Sequence, residues 1–302
     1  MNQRASEFEI LKVARQYMGK NAWPTVLMAV AAFAVYLCVF VTALLGHLPL
    51  WVGFLLLSYL VYVIYTPLHE SVHHNIFGSD SKLSWLNTLI GYAAASILGV
   101  SYAAHRAAHM AHHRATNVPG KDPDLAYGDD SLTALMLGGP KIIVSEYRAY
   151  FEKVFPSAPF AAKAGVIAEI AVAIGWRAAL IAAGFPLEVL VLAVLANWAG
   201  LSLLGILFAW IVHRPFDQTA RYKNTATILL PRWIHQPATV LWLWQNYHSI
   251  HHLFPRVPFY DYARVFDQIE QGMIERGAPI VAPGRRGHRA LVTRPSETNF
   301  RC

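Results

Sequence analysis

Charge is scarce in this sequence. Asp, Glu, Lys and Arg make up 14% of its 302 residues and hydrophobic residues 55%, where a soluble domain carries about 25% charged residues. That balance excludes an ordinary water-soluble globule and points to a chain that crosses a membrane several times. Cysteine is nearly absent. Cys38 sits in an apolar run and Cys302 is the last residue, so neither a disulfide framework nor a cysteine-held iron–sulfur cluster is available. No G-x-G-x-x-G fingerprint and no fused haem-binding module occur, which leaves no internal source of electrons. Residues 1–20 carry Arg4, Lys12, Arg15 and Lys20 and lack a short apolar core with a cleavage site, so no cleavable signal is expected.

Long apolar runs are what the chain has instead. A polar, partly helical lead-in over 1–21 precedes runs at about 22–45, 50–65, 85–104, 160–183 and 187–212. Each of the longer ones suffices to cross a bilayer as a helix. Residues 132–158 mix apolar and charged positions and read as lying along the membrane surface; 283–302 read as a flexible tail. No repeat and no second domain are evident, so 1–302 is expected to be one all-α polytopic domain.

The formal charge of +7 would suit nucleic acid, but its location argues otherwise. Lys and Arg concentrate before residue 22, between 105 and 163, and after 213, while the turns at 46–49 and 184–186 contain none. The positive-inside rule then places both termini in the cytoplasm, in an inner-membrane protein with no nucleic-acid partner. The run at 85–104 must dip in and return, or lie buried against the other helices, if the segments on either side of it are to share one face.

Histidine is unevenly spread. Nine of the 14 fall in three windows: His69, His73 and His74; His109, His112 and His113; His248, His251 and His252. Positions i, i+3 and i+4 share one face of a helix, so each window presents imidazoles to one point. Neutral imidazole is a common ligand for zinc, copper, iron and nickel. Nine candidates, with His105 and His213 nearby as possible additions, exceed the three or four that a zinc ion takes and suit two metal ions. With no hydrolytic nucleophile in view, oxygen activation by iron is the expected chemistry.

This pattern resembles the membrane fatty-acid desaturase and hydroxylase superfamily. The resemblance rests on H-x-x-x-H at His69 and His73, H-x-x-H-H at 109–113 and again at 248–252, their order, and the apolar hairpin between the second and third. It covers about residues 25–265. The wording of 246–260, with 113–117 and 121–124, is most similar to bacterial acyl-lipid desaturases and desaturase-like carotene hydroxylases. His74, directly after His73, departs from the simplest pattern and leaves the ligand open between the two. The resemblance implies two irons that activate O2 for attack on unactivated C–H bonds. It also implies a lipid acyl chain, or alternatively a β-carotene ring, as substrate, and an external ferredoxin or cytochrome-type electron donor.

Other readings compete with this one. His69-Glu70-x-x-His73 also matches the H-E-x-x-H of zinc peptidases; beside two further clusters, Glu70 reads better as a group that orients a histidine. A metal transporter would place its ligands within spanning helices near the midplane, not beyond the helix ends. His105 is expected at the surface or behind the ligands. His213 ends a span, where a cation suits the helix C-terminus as well as a ligand role would. Asp122 and Asp124 either orient histidines or shape a turn. Arg177, within an apolar run, is expected to snorkel to an interface; Glu169 lies too far from it along the helix for a direct pair. Ala93, Ala94, Ala95, Gly200 and Gly205 leave room either for a substrate or for helix packing.

Overall fold

The computed structural model describes residues 6–78, 80–128 and 131–282. The proposed tail, with His288 and Cys302, lies outside the described residues. A short helix α1 (Glu7–Arg15) is capped by Ser6, whose hydroxyl accepts from the Glu9 N–H at 3.2 Å. Two long apolar helices follow, α2 (Trp23–Leu44) and α3 (Leu50–Val72). They are joined through Gly46, whose φ of +76° is open to glycine without strain. Next come α4 (Trp85–Leu98) and α5 (Tyr102–Arg114), then the surface helices α6 (Leu132–Leu137) and α7 (Lys141–Lys153). The last two long apolar helices are α8 (Phe160–Ala182) and α9 (Pro186–His213). The remainder forms α10 (Arg232–Leu241), α11 (His248–Leu253) and α12 (Tyr262–Glu275). A two-residue strand β1 (Thr227–Ile228) pairs in parallel with β2 (Ile280–Val281).

Among the described residues, four helices, α2, α3, α8 and α9, are long and apolar enough to cross a membrane. The chain is thus an all-α polytopic membrane protein. α3 is longer than its apolar run suggests. The run stops at Thr66-Pro67, yet the helix continues to Val72. Proline removes one N–H and crowds the preceding turn, but Leu68, His69, Glu70, Ser71 and Val72 are all buried, and packing holds that last turn. Helices α3 and α9 meet at small residues. A Cβ on Gly200 would lie 2.5 Å from the Ser58 carbonyl oxygen, and one on Gly53 2.8 Å from Leu192. Gly200 therefore serves close packing and does not leave substrate room. α9 contains two widened, π-helical turns, at Leu190–Leu195 and Gly205–Trp210.

The 85–104 run does not form one straight spanning helix. α4 has 14 residues and rises only about 21 Å at 1.5 Å per residue, short of the roughly 30 Å hydrocarbon layer. It meets α5 at a bend of 99°. Its first turn is tied to the end of α3, where the Asn87 amide donates to the Phe77 carbonyl at 2.7 Å and its Oδ1 accepts from the Phe77 N–H at 3.2 Å. α5 then returns to that same end of α3.

A buried elbow leaves helix-end groups without partners, and α8 and α9 supply them. Arg177 donates to the Ser96 carbonyl at 3.2 Å and the Ile97 carbonyl at 2.8 Å, and Asn197 donates to the Leu98 carbonyl at 2.7 Å. These groups meet the negative end of the α4 dipole. One Glu169 oxygen, Oε2, accepts from the Ser101 hydroxyl at 2.6 Å and the Ala103 N–H at 3.1 Å, meeting the positive end of α5. Gly99, at φ +76°, makes the corner between them. Arg177 therefore does not snorkel to an interface; it and Glu169 bond to the two halves of one elbow.

Arg177→Ala is expected to destabilise the protein by about 1–3 kcal/mol, the range for hydrogen bonds to charged groups, with Arg177→Lys intermediate. Reversible unfolding in mixed micelles measures this. Equal stability of all three proteins would show that packing alone holds the elbow.

Candidate metal centre

The three histidine windows enter one space from different directions. The end of α3 supplies His69 and His73, α5 supplies His109, His112 and His113, and α11 supplies His248, His251 and His252. The last residue of α9 supplies His213. Their ring nitrogens form two adjoining groups. In the first, ligand atoms of His69, His73, His109, His113 and His251 all lie within 4.8 Å of one another. Its Nε2–Nε2 contacts are 2.9 Å (His69–His251), 2.8 Å (His73–His109), 3.0 Å (His109–His113) and 2.8 Å (His113–His251). In the second, His112, His213 and His252 meet the same 4.8 Å limit, and His248 joins through an Nε2–Nε2 contact of 3.1 Å to His252. The groups touch where the rings of His113 and His252 stack at 4.6 Å.

Hydrogen bonds at the outer nitrogens orient the second group. His112 Nδ1 lies 2.8 Å from Asp122 Oδ1, a carboxylate already fixed by the N–H groups of Asn117 and Asp124 at 2.7 and 2.9 Å. His248 Nδ1 lies 3.0 Å from Gln245 Oε1, whose amide nitrogen is spent on the Leu243 carbonyl. His252 Nδ1 lies 3.3 Å from the Thr116 hydroxyl, which donates its one proton to the His112 carbonyl. Every one of these partners accepts, so each Nδ1 carries a proton, and in the neutral ring each Nε2 is a bare lone pair. Three bare lone pairs then face one another, with His252 Nε2 at 3.3 Å from that of His112 and 3.1 Å from that of His248. Such an arrangement is repulsive unless a cation lies among them, and all-nitrogen donors suit a transition-metal ion. Across both groups the residues fit two adjacent ions.

Burial works in the same direction. Burial first, and then the neighbouring imidazoles, hold His248, His251 and His252 well below the ordinary imidazole value. They are neutral at neutral pH, the state that ligates. His251 Nδ1 lies 3.0 Å from the Tyr262 hydroxyl.

Two candidates change places. His74 has φ +54°, is partly buried, and lies in the field of Arg106 and Arg256 away from both groups. His213, which a helix-end role would equally have explained, has its ring 4.8 Å from those of His112 and His252. His105 is buried, not at the surface, with Nδ1 2.8 Å from Glu146 and its ring stacked 5.7 Å from that of His109. Asp122 both orients His112 and shapes its turn. Glu70 is fully buried, 3.8 Å from His69 Nδ1, and accepts from the Phe259 N–H and the Asn75 amide. A peptidase base faces the open position of its metal; this carboxylate is turned to the backbone. Gln245, Thr116, Glu146 and Tyr262 were not singled out in the sequence. Gln245 and Thr116 carry a faint signal, at i−3 from His248 and i+4 from His112; Glu146 and Tyr262 carry none.

A family model described as fatty acid desaturase matches residues 45–284, a stretch that contains both histidine groups. No curated protein matches the chain.

Three substitutions test the grouping by elemental analysis of purified protein. His74→Ala is expected to keep its full metal content. His213→Ala is expected to lose the ion of the second group, and Asp122→Asn to bind metal about 10–100-fold more weakly, as loss of such an outer hydrogen bond does elsewhere. Unchanged metal in His213→Ala, or loss in His74→Ala, would reverse their assignments.

Proposed function

The chain belongs to the fatty acid desaturase family, and on that premise we propose that it is an O2-dependent di-iron oxidoreductase acting on a long apolar lipid. The observation that carries this reading is the division of nine imidazoles into two adjoining groups, five and four, each built from separate chain segments. Bound there, two irons would supply O2 activation and the removal of hydrogen from an unactivated C–H bond. In this reading His69, His73, His109, His113 and His251 hold one ion, and His112, His213, His248 and His252 the other.

The chain's own residues supply what such chemistry demands. Asp122, Gln245 and Thr116 fix the ring orientations of the second group. The buried walls, with Tyr65 and Phe208 packed against His69, exclude water from a site where a reactive species would otherwise be quenched. Electrons come from outside the chain, from a ferredoxin or cytochrome-type carrier, and the cations Arg106 and Arg256 near His74 suit an acidic partner. The distribution of Lys and Arg supports a reading in which this end of the bundle, and both termini, face the cytoplasm across the inner membrane. A lipid acyl chain, entering from the bilayer, is the favoured substrate; the 246–260 wording supports a carotenoid ring as the second reading.

Expression in a host with ordinary lipids and in one that makes β-carotene, each with a ferredoxin system, separates the substrates. New acyl double bonds support the first reading and a more polar carotenoid the second. Iron-loaded protein with no O2-dependent product in either host would reject both substrates. Reporters fused at residues 20 and 130 are expected on one side of the membrane and one at 186 on the other; a reporter at 130 on the far side would overturn the sidedness.

A further inference from the structure

A cavity of 340 Å³ lies apart from the histidines, between the elbow and α8. Its walls are Tyr92, Ala95 and Ser96 of α4, Val100 and Tyr102 at the corner, and Gly165, Ala168, Glu169 and Val172 of α8. No histidine lines it. α8 is mostly exposed on its outer side, with Ile167 and Val172 open at 56% and 60%, so anything that fills the cavity arrives from the bilayer. The volume falls within the range of small-molecule sites, and small side chains create it. A Cβ on Gly165 would meet nothing within 4 Å.

One wall group is out of place in a void meant for lipid tails. A carboxylate at membrane depth is costly unless its oxygens are satisfied. Glu169 Oε2 is satisfied twice, by Ser101 and by the Ala103 N–H, but Oε1 receives no hydrogen bond from the described residues. The tyrosine rings beside it do not supply one. Tyr92 and Tyr102 pack edge to face at 5.2 Å. What remains is an apolar cavity, open to the bilayer, with one vacant acceptor in its wall.

We propose that this cavity is a second lipid site, separate from the histidine centre, that binds an amphiphile whose hydroxyl group donates to Glu169 Oε1 while its apolar body lies along α4 and α8. The site selects a hydrogen-bond donor. A hydrocarbon of the same length leaves the carboxylate unpartnered, and an ether presents a second acceptor to it. The inference does not depend on iron or on the identity of the enzyme's substrate.

The test uses three photoreactive diazirine probes of equal chain length, a long-chain alcohol, its methyl ether and the alkane. Each is cross-linked to the full protein in lipid nanodiscs and mapped by peptide mass spectrometry. The alcohol is expected to label the α4 and α8 peptides about 5–10-fold more than the ether or alkane, the worth of about one hydrogen bond. Gly165→Phe fills the cavity and is expected to abolish that labelling. Glu169→Gln can still accept from Ser101 and Ala103 while it turns an N–H toward the ligand, so the ether should be recovered to within about twofold of the alcohol. Equal labelling by all three probes in the wild type would mean that lipid tails merely fill a gap between helices. A preference for the alcohol that survives unchanged in Glu169→Gln would remove the carboxylate from the site, and so overturn the proposal even if Gly165→Phe fails to fold.

Discussion

Nine imidazoles within one buried space repel as soon as two of them are charged, and lone pairs that face one another repel even when none is. The architecture is an answer to that constraint. Each ring of the second group other than His213 is turned by an acceptor behind it, and the acceptors come from the same segments as the rings or from the loop next to them. Asp122 follows α5 in the next loop, Gln245 precedes α11, and Thr116 lies just past the end of α5. The acceptors of His112 and His248 are local, while Thr116 reaches His252 from 136 residues away. Loss of one acceptor frees a ring to flip, and a flipped ring exposes N–H where a lone pair is required.

The elbow answers a second problem, that α5 must reach the end of α3 without crossing the bilayer. α4 enters and α5 returns, and α8 spends two charged side chains on backbone groups that the bend leaves bare. The arrangement resembles a helix interrupted at membrane depth, tolerated because protein covers the break. One helix thereby holds both halves. A shift of α8 would move α5, and with it His109, His112 and His113, relative to α3.

Much of this was legible in the sequence. The i, i+3, i+4 spacing of the histidines and the four long apolar runs follow from periodicity and length, and the expected dip of 85–104 from the need to bring the flanking histidine windows to one face. Three features were not legible, for distinct reasons. His74 and His73 are equivalent as letters, and only the left-handed φ of His74 separates them. Arg177 and Glu169 look like an unpaired couple eight residues apart because their partners are backbone atoms of another helix, which no side-chain pattern records. The extension of α3 beyond its apolar run was not visible because Pro67 is a local stop signal that burial of the next five residues overrides.

The two histidine groups share one feature with a consequence for biosynthesis. The first needs His251 and the second needs His248 and His252, so each is closed by the helix nearest the end of the bundle of histidine-bearing segments. A chain still emerging from the ribosome can place α2 through α5 in the membrane and display five of the nine imidazoles, yet it holds neither group complete. Domains generally begin to form from the N-terminal side during synthesis, but here both groups are completed only when α11 arrives. The finished centre ties the end of α3 to α11 across some 180 residues of intervening sequence, as in the contact between His69 and His251.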